Sequence, residues 1–157
     1  VPDDLVDLVQ WVDPMIGSDG SGNVIPGALV PHGMVRVSPD TLSGAGAIGA
    51  YHFDDERIEG FTHTHLEGPG GSGNGYSEIL LMAGVGAPDV EDVTSAYSHD
   101  DEIAEPGYYR VRLIDPGIDV ELTATTRTGI NCAATSPANP RHSILRASAS
   151  AMPRERR

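Results

Sequence analysis

The chain has 157 residues, a formal net charge of −13 and no lysine, so all ten of its basic residues are arginines. That length accommodates one domain with a real core, and an acidic body without a basic stripe argues against nucleic acid or an anionic membrane surface as partner. No apolar run approaches the roughly 18 residues of a membrane span, and the single cysteine, Cys132, excludes an internal disulfide framework or a cysteine-cluster zinc site.

The charge is unevenly distributed. Residues 1–130 hold 22 of the 23 acidic side chains and five arginines, a balance of −17, whereas residues 131–157 carry +4. The chain opens on Val1 with no signal-peptide pattern, which points to a natural start upstream of this sequence.

In chain order, residues 4–12 place apolar side chains at 5, 6, 8, 9, 11 and 12, fitting a short helical turn or an entering strand. Residues 17–33 carry five glycines and two prolines, too many for a helix interior, and predict a structured loop. Residues 34–38 alternate as a strand does, 41–50 read as a glycine-rich loop, and 58–66 as a second strand. A glycine-rich run over 68–75 separates that strand from a buried one at 78–82. Residues 89–105 are the one sizeable helical candidate, but they are too acidic and too irregular in apolar spacing to support a helix. Residues 108–114 alternate Tyr109, Val111 and Leu113 against Tyr108, Arg110, Arg112 and Ile114. Residues 120–127 repeat the pattern, with Leu122, Ala124 and Thr126 opposite Glu121, Thr123 and Thr125. Short strands separated by Gly, Pro and Asp turns predict an all-β sandwich with long glycine-rich loops.

The chemistry-bearing stretch is Gly60-Phe61-Thr62-His63-Thr64-His65-Leu66. In an extended strand His63 and His65 share one face with Phe61, while Thr62, Thr64 and Leu66 take the other. Two imidazoles beside a loop of little bulk suit a polar ligand, and equally suit strand histidines bonded to backbone. The clusters Asp54-Asp55-Glu56 and Asp100-Asp101-Glu102 lack the spaced ligands of a calcium loop and read as solvated turns. The glycines at 17, 20 and 22 lack the spacing of a dinucleotide fingerprint or the lysine of a P-loop. No Gly-x-Ser-x-Gly elbow sits between a strand and a helix.

Four ordered segments together carry a family resemblance. The first runs from Val12-Asp13-Pro14-Met15-Ile16-Gly17-Ser18 through Asn23-Val24-Ile25-Pro26-Gly27-Ala28 and Pro31-His32-Gly33-Met34-Val35 to Ser38-Pro39-Asp40-Thr41. The second joins Tyr51-His52-Phe53 to the stretch from Ile58 to Leu66. The third is Ser98-His99 with Glu102 and Pro106-Gly107-Tyr108-Tyr109, and the fourth is Glu121-Leu122-Thr123-Ala124-Thr125 with Arg127 and Gly129. In order and spacing they resemble the N-terminal domain of glycoside hydrolase family 92, the calcium-dependent exo-α-mannosidases, over residues 11–130.

The resemblance implies a β-sandwich of the galactose-mutarotase-like supersandwich type over residues 1–130. It also implies a larger C-terminal (α/α) barrel domain that this chain lacks, with the mannose site between the two. It implies an inverting reaction on α-linked mannose at the non-reducing ends of glycans, with the acid, the base and most calcium ligands on the barrel. Calcium therefore belongs to the intact parent, and none is expected to bind tightly here. By motif position Asn23, His52, His63 and His65 lie nearest the mannose as hydrogen-bonding and shape-defining residues, none of them acid or base. The parent is expected to be secreted or periplasmic. Ser21, His32 and the run Gly44-Ala45-Gly46-Ala47-Ile48-Gly49 depart from the family's usual histidine, phenylalanine and tryptophan-rich stretch.

The resemblance stops after Ile130. Residues 131–157 are rich in Ala, Ser, Pro and Arg and are expected to be a non-homologous, irregular tail. With the charge reversal they resemble translation in a shifted reading frame of GC-rich DNA, or else a divergent tail too poor in apolar residues to order. Two other readings compete with a truncated mannosidase. One is a stand-alone carbohydrate-binding β-domain; the other is a small metal-binding β-domain using His63 and His65, with His52 or His99 as a third ligand.

Overall fold

A computed structural model describes residues 8–41, 49–66, 79–86 and 93–135, together with the backbone of 143–148. The strands in chain order are β1 (Ala28–Leu29), β2 (Arg36–Thr41), β3 (Arg57–Thr62), β4 (Leu80–Val85), β5 (Ser95–Ala96), β6 (Ile103–Glu105), β7 (Tyr108–Leu113), β8 (Ile118–Ala124), β9 (Gly129–Thr135) and β10 (Ser143–Ser148). They pair antiparallel in two sheets. One has the order β1-β2-β3-β4-β10, with β5 also on β3, and the other has the order β6-β7-β8-β9. Among the described residues no helix is long and apolar enough to cross a membrane.

The β7–β8 hairpin shows how the sequence builds the core. Its register sets Tyr109 opposite Leu122, Val111 opposite Val120 and Leu113 opposite Ile118. All six are fully or almost fully buried. Each buried aliphatic side chain of this kind contributes about 1.5–3 kcal/mol relative to exposure. The turn between the strands closes through Gly117, whose φ of +67° an L side chain rarely adopts. The first sheet meets this face with Ala28, Val37, Ile58, Phe61, Met82 and Ala83, so the core lies between the sheets. The expected sandwich is present, and the alternation in 108–114 has its apolar face inward as the sequence indicates.

Other elements differ from expectation. The strand expected at 34–38 is β2, which begins at Arg36 and runs to Thr41, because Met34 donates to the carbonyl of Thr126 and so leaves the sheet. Residues 8–11 form a single 3-10 turn, while 1–7 lie outside the described residues, as do the runs at 42–48 and 67–78. Within the helical candidate, residues 93–105 hold β5, a 3-10 turn at His99–Asp101 and β6.

The tail expected to be irregular begins instead as two strands. β9 pairs residue for residue with β8, and β10 pairs over six residues with β4. Gly129, Asn131, Ala133 and Thr135 of β9 are half-buried and alternate with exposed neighbours. Pairing to an existing edge supplies the hydrogen bonds, so small side chains suffice where composition alone suggests disorder.

The β2–β3 register shifts between Asp40 and Thr41: Asp40 faces Gly60 and Thr41 faces Ile58, leaving Glu59 as the extra residue of a bulge. Burial, then Asp40, then Asp55 hold the Glu59 carboxyl above the ordinary glutamate range. A carboxyl raised on folding favours the native state while protonated, and that contribution is lost as pH rises through its folded value. Glu59→Gln is therefore expected to raise the melting temperature at neutral pH, with the gain shrinking in acid as Glu59 itself protonates. A lower melting temperature for the variant at neutral pH would show that Glu59 is not under this strain.

Candidate functional site

Two glycines and an asparagine shape the loop that precedes β1. Gly17 has φ +85°, Gly20 φ +54° and Asn23 φ +53°. Asn is among the few non-glycine residues that enter this region readily. The loop closes through Gly22 N–H to Asp19 O at 3.1 Å and Val24 N–H to Gly17 O at 3.1 Å, and the Asn23 amide donates to Ser21 O at 3.1 Å.

The segment 51–55 lies against this loop. Phe53 N–H donates to Ser18 O at 3.0 Å, and the His52 ring brings Nε2 within 3.3 Å of Gly20 O. The amide of Asp54 donates to His52 Nδ1 at 3.3 Å, which in the neutral ring leaves Nε2 as the nitrogen that can donate to the Gly20 carbonyl. The His52 backbone is fixed in turn: its N–H donates to Thr41 Oγ1 at 3.0 Å, and the Thr41 hydroxyl donates to Asp55. Asn23 and His52 thus belong to one wall.

Behind that wall sits a buried carboxylate. The side chain of Glu102 is 2% exposed. It accepts from Tyr109 OH at 2.6 Å and from Tyr51 OH at 3.0 Å, and its other oxygen meets His99 Nδ1. His99 Nε2 lies 2.7 Å from Phe53 O, and its ring stacks on Phe53 with centroids 3.9 Å apart and planes 4° from parallel. Tyr97 meets the His99 ring edge-on at 5.3 Å. Burial first, and the Glu102 charge second, push the Tyr51 and Tyr109 phenols well above their ordinary range, so both stay protonated donors.

The two histidines of the His-Thr-His stretch do not share a strand face. β3 ends at Thr62, and the last ladder-like bond is Arg36 N–H to His63 O at 3.0 Å. With the partner chain diverging at Met34, residues 64–66 have no ladder to hold them extended. The His65 ring turns back onto Thr62, which strict alternation places on the opposite face: Nε2 lies 2.9 Å from Thr62 Oγ1 and 3.3 Å from Asp40 Oδ1, and Nδ1 lies 2.8 Å from Arg36 O. The His65 side chain has 0% exposure. His63 instead reaches β9, with Nε2 3.3 Å from Asn131 Oδ1. The structure sets the His52 ring against the loop that carries Asn23, sets His63 by a different strand and encloses His65.

Sequence reasoning missed the Glu102 assembly by reading 100–102 as one solvated turn. Asp100 and Asp101 fit that reading, whereas Glu102 faces inward. The available signal was Tyr109 itself: a phenol on the apolar face of a strand requires an acceptor. Among the described residues no three His, Cys, Asp or Glu side chains gather as a metal site requires. Both ring nitrogens of His65 are also engaged within the fold.

Fold and site together define a two-sheet antiparallel domain with a polar and aromatic loop surface. The sequence matches the glycosyl hydrolase family 92 N-terminal domain over residues 11–156, continuing past Ile130 through most of the expected tail. The structure is similar to the family GH92 α-mannosidase BT3965 of Bacteroides thetaiotaomicron in complex with mannoimidazole, with TM-score 0.77 and 36% identity over 83% of this chain and 18% of that one. It is also similar to the inverting GH92 mannosidase BT2199 of the same organism, with TM-score 0.71 and 26% identity over 90% and 20%. An uncharacterized secreted glycosidase of Arthroderma benhamiae is 28% identical over 131 residues, 79% of this chain and 17% of that protein. The chain belongs to glycosyl hydrolase family 92, as its N-terminal domain. It spans about a fifth of the length of these relatives.

Proposed function

We propose that this chain is the N-terminal part of a secreted or periplasmic enzyme that releases α-linked mannose from the non-reducing ends of glycans with inversion, and that it supplies a non-catalytic wall of the sugar pocket. The observation that carries the reading is the family match over residues 11–156. The solved relatives named as an α-mannosidase with mannoimidazole and as an inverting mannosidase support the chemistry.

On this reading Asn23 and His52 meet sugar hydroxyls. Asn23 offers an amide held by a left-handed backbone, and His52 is half-buried with its ring set by Gly20 and Asp54. His63 extends the surface toward Asn131. His65 is shape-defining only, since its enclosed ring fixes the end of β3 against β2. An inverting glycosidase needs a general acid and a general base about 6.5–9.5 Å apart on opposite faces of the sugar. The larger missing part of the enzyme supplies both, and calcium belongs with that part.

The purified chain is accordingly expected to release no mannose from aryl α-mannosides or mannobiose, with or without added calcium. Calcium-dependent release by the chain alone, abolished by a chelator, would overturn the assignment of the proton-transfer groups to the missing part.

A further inference from the structure

Among the described residues beside the loop that precedes β1, Phe53 carries a large aromatic ring that the reading above leaves unused. It is 37% exposed although it is large and apolar. One of its faces is covered by the parallel His99 ring at 3.9 Å, and its backbone is held at both ends, N–H to Ser18 O and carbonyl to His99 Nε2. It directly follows His52, whose ring is turned to the same loop. A flat apolar face held rigid beside polar groups matches a hexose, which carries an apolar patch of C–H bonds and a rim of hydroxyls.

We propose that Phe53 is a sugar-stacking residue of this wall, backed by His99, and that Glu102 is its positioning residue; this rests on the mannose-wall reading. The Glu102 carboxylate clamps both neighbours of His52. It holds Tyr51 through the phenol and Phe53 through His99. One carboxylate therefore sets the polar and the aromatic member of the wall together. Rigid aromatic anchors bind at low entropic cost, because little freedom remains to be lost on contact.

The test uses the full chain and methyl α-mannoside, followed by saturation-transfer NMR and by nuclear Overhauser contacts between the Phe53 ring protons and the sugar C–H protons. In the native chain those contacts are expected. Phe53→Leu is expected to weaken binding about threefold to tenfold, in line with the worth of an aromatic stacking contact, and Phe53→Tyr to restore it. Glu102→Gln is expected to shift the His52 and Phe53 resonances and weaken binding, while Asp101→Asn changes neither. Direct Phe53-to-sugar contacts in the native chain decide the matter even if a variant folds poorly. Binding lost in His52→Ala but unchanged in Phe53→Leu would overturn the Phe53 role and leave the wall standing. No saturation transfer in the native chain would overturn the Phe53 role. His52 and Phe53 resonances unmoved in Glu102→Gln would remove Glu102 as the positioning residue.

Discussion

Glu102→Ala is expected to cost about 2–6 kcal/mol of folding stability, because two buried phenols lose their acceptor and each such orphan costs about 1–3 kcal/mol. Tyr109 is completely buried and Tyr51 almost so, and water cannot replace the carboxylate without a cavity that admits it. The loss reaches two parts of the fold, since Tyr109 belongs to β7 while Tyr51 leads into the segment 52–55 between β2 and β3. Glu102→Gln keeps an oxygen for the phenols and is expected to lose less. Urea unfolding of the two variants beside the native chain measures the difference. An alanine variant within about 0.5 kcal/mol of native, the range of ordinary surface substitutions, would show that the network contributes little.

Gly27→Ala is expected to be damaging on a similar scale. A Cβ there would lie 2.0 Å from Val37 O and 2.6 Å from Ser38 Cα. Both are backbone atoms of β2, so no rotamer change relieves the contact. The clash can be resolved only by opening the pairing of Ala28 with Val37, both of which lie in the core. The expected loss is about 3 kcal/mol, the upper end of ordinary overpacking and a large share of the roughly 5–15 kcal/mol that holds a native domain folded. Gly20→Ala is the contrast: nothing lies within 4 Å of its Cβ, and only the φ of +54° resists substitution. Its cost is expected to be about 1–2 kcal/mol. Thermal melts of the two variants give the ranking. Equal melting temperatures would mean that the close approach of residue 27 to β2 is absent in solution.

The two variants probe features of different legibility. The glycines of 17–33 announce a structured loop, but nothing local says that Gly27 touches Val37 rather than solvent. Within Asp100-Asp101-Glu102 the three acids look alike in sequence. Glu102 becomes the hub only because Tyr51, 51 residues away, and Tyr109 aim their hydroxyls at it.

The strands at 129–135 and 143–148 are the complementary case. Composition beyond residue 130 argues against a core, and β9 adds only half-buried side chains to one, Ala133 among them. Both strands form because β8 and β4 offer edges to pair with. β9 continues the chain as a hairpin on β8, but the partner of β10 is the distant β4, outside any local window, so composition alone suggests an irregular tail.

What the sequence alone determined is whatever follows from covalent geometry repeated along a strand. The two-residue period puts Tyr109, Val111 and Leu113 on one face and their polar neighbours on the other, and enough such stretches between turns make a sandwich. The ordered motifs likewise determined the family. Tertiary structure decided where each strand stops and what each polar side chain meets. Phe61, His63 and His65 share a face only if the strand continues, yet it ends at Thr62 because its partner is drawn away by Met34 to Thr126. His63 then finds Asn131, 68 residues along the chain, and His65 finds Asp40. Alternation is a property of the backbone itself, whereas hydrogen-bond partners depend on which distant segments the packed core brings within about 3 Å of one another.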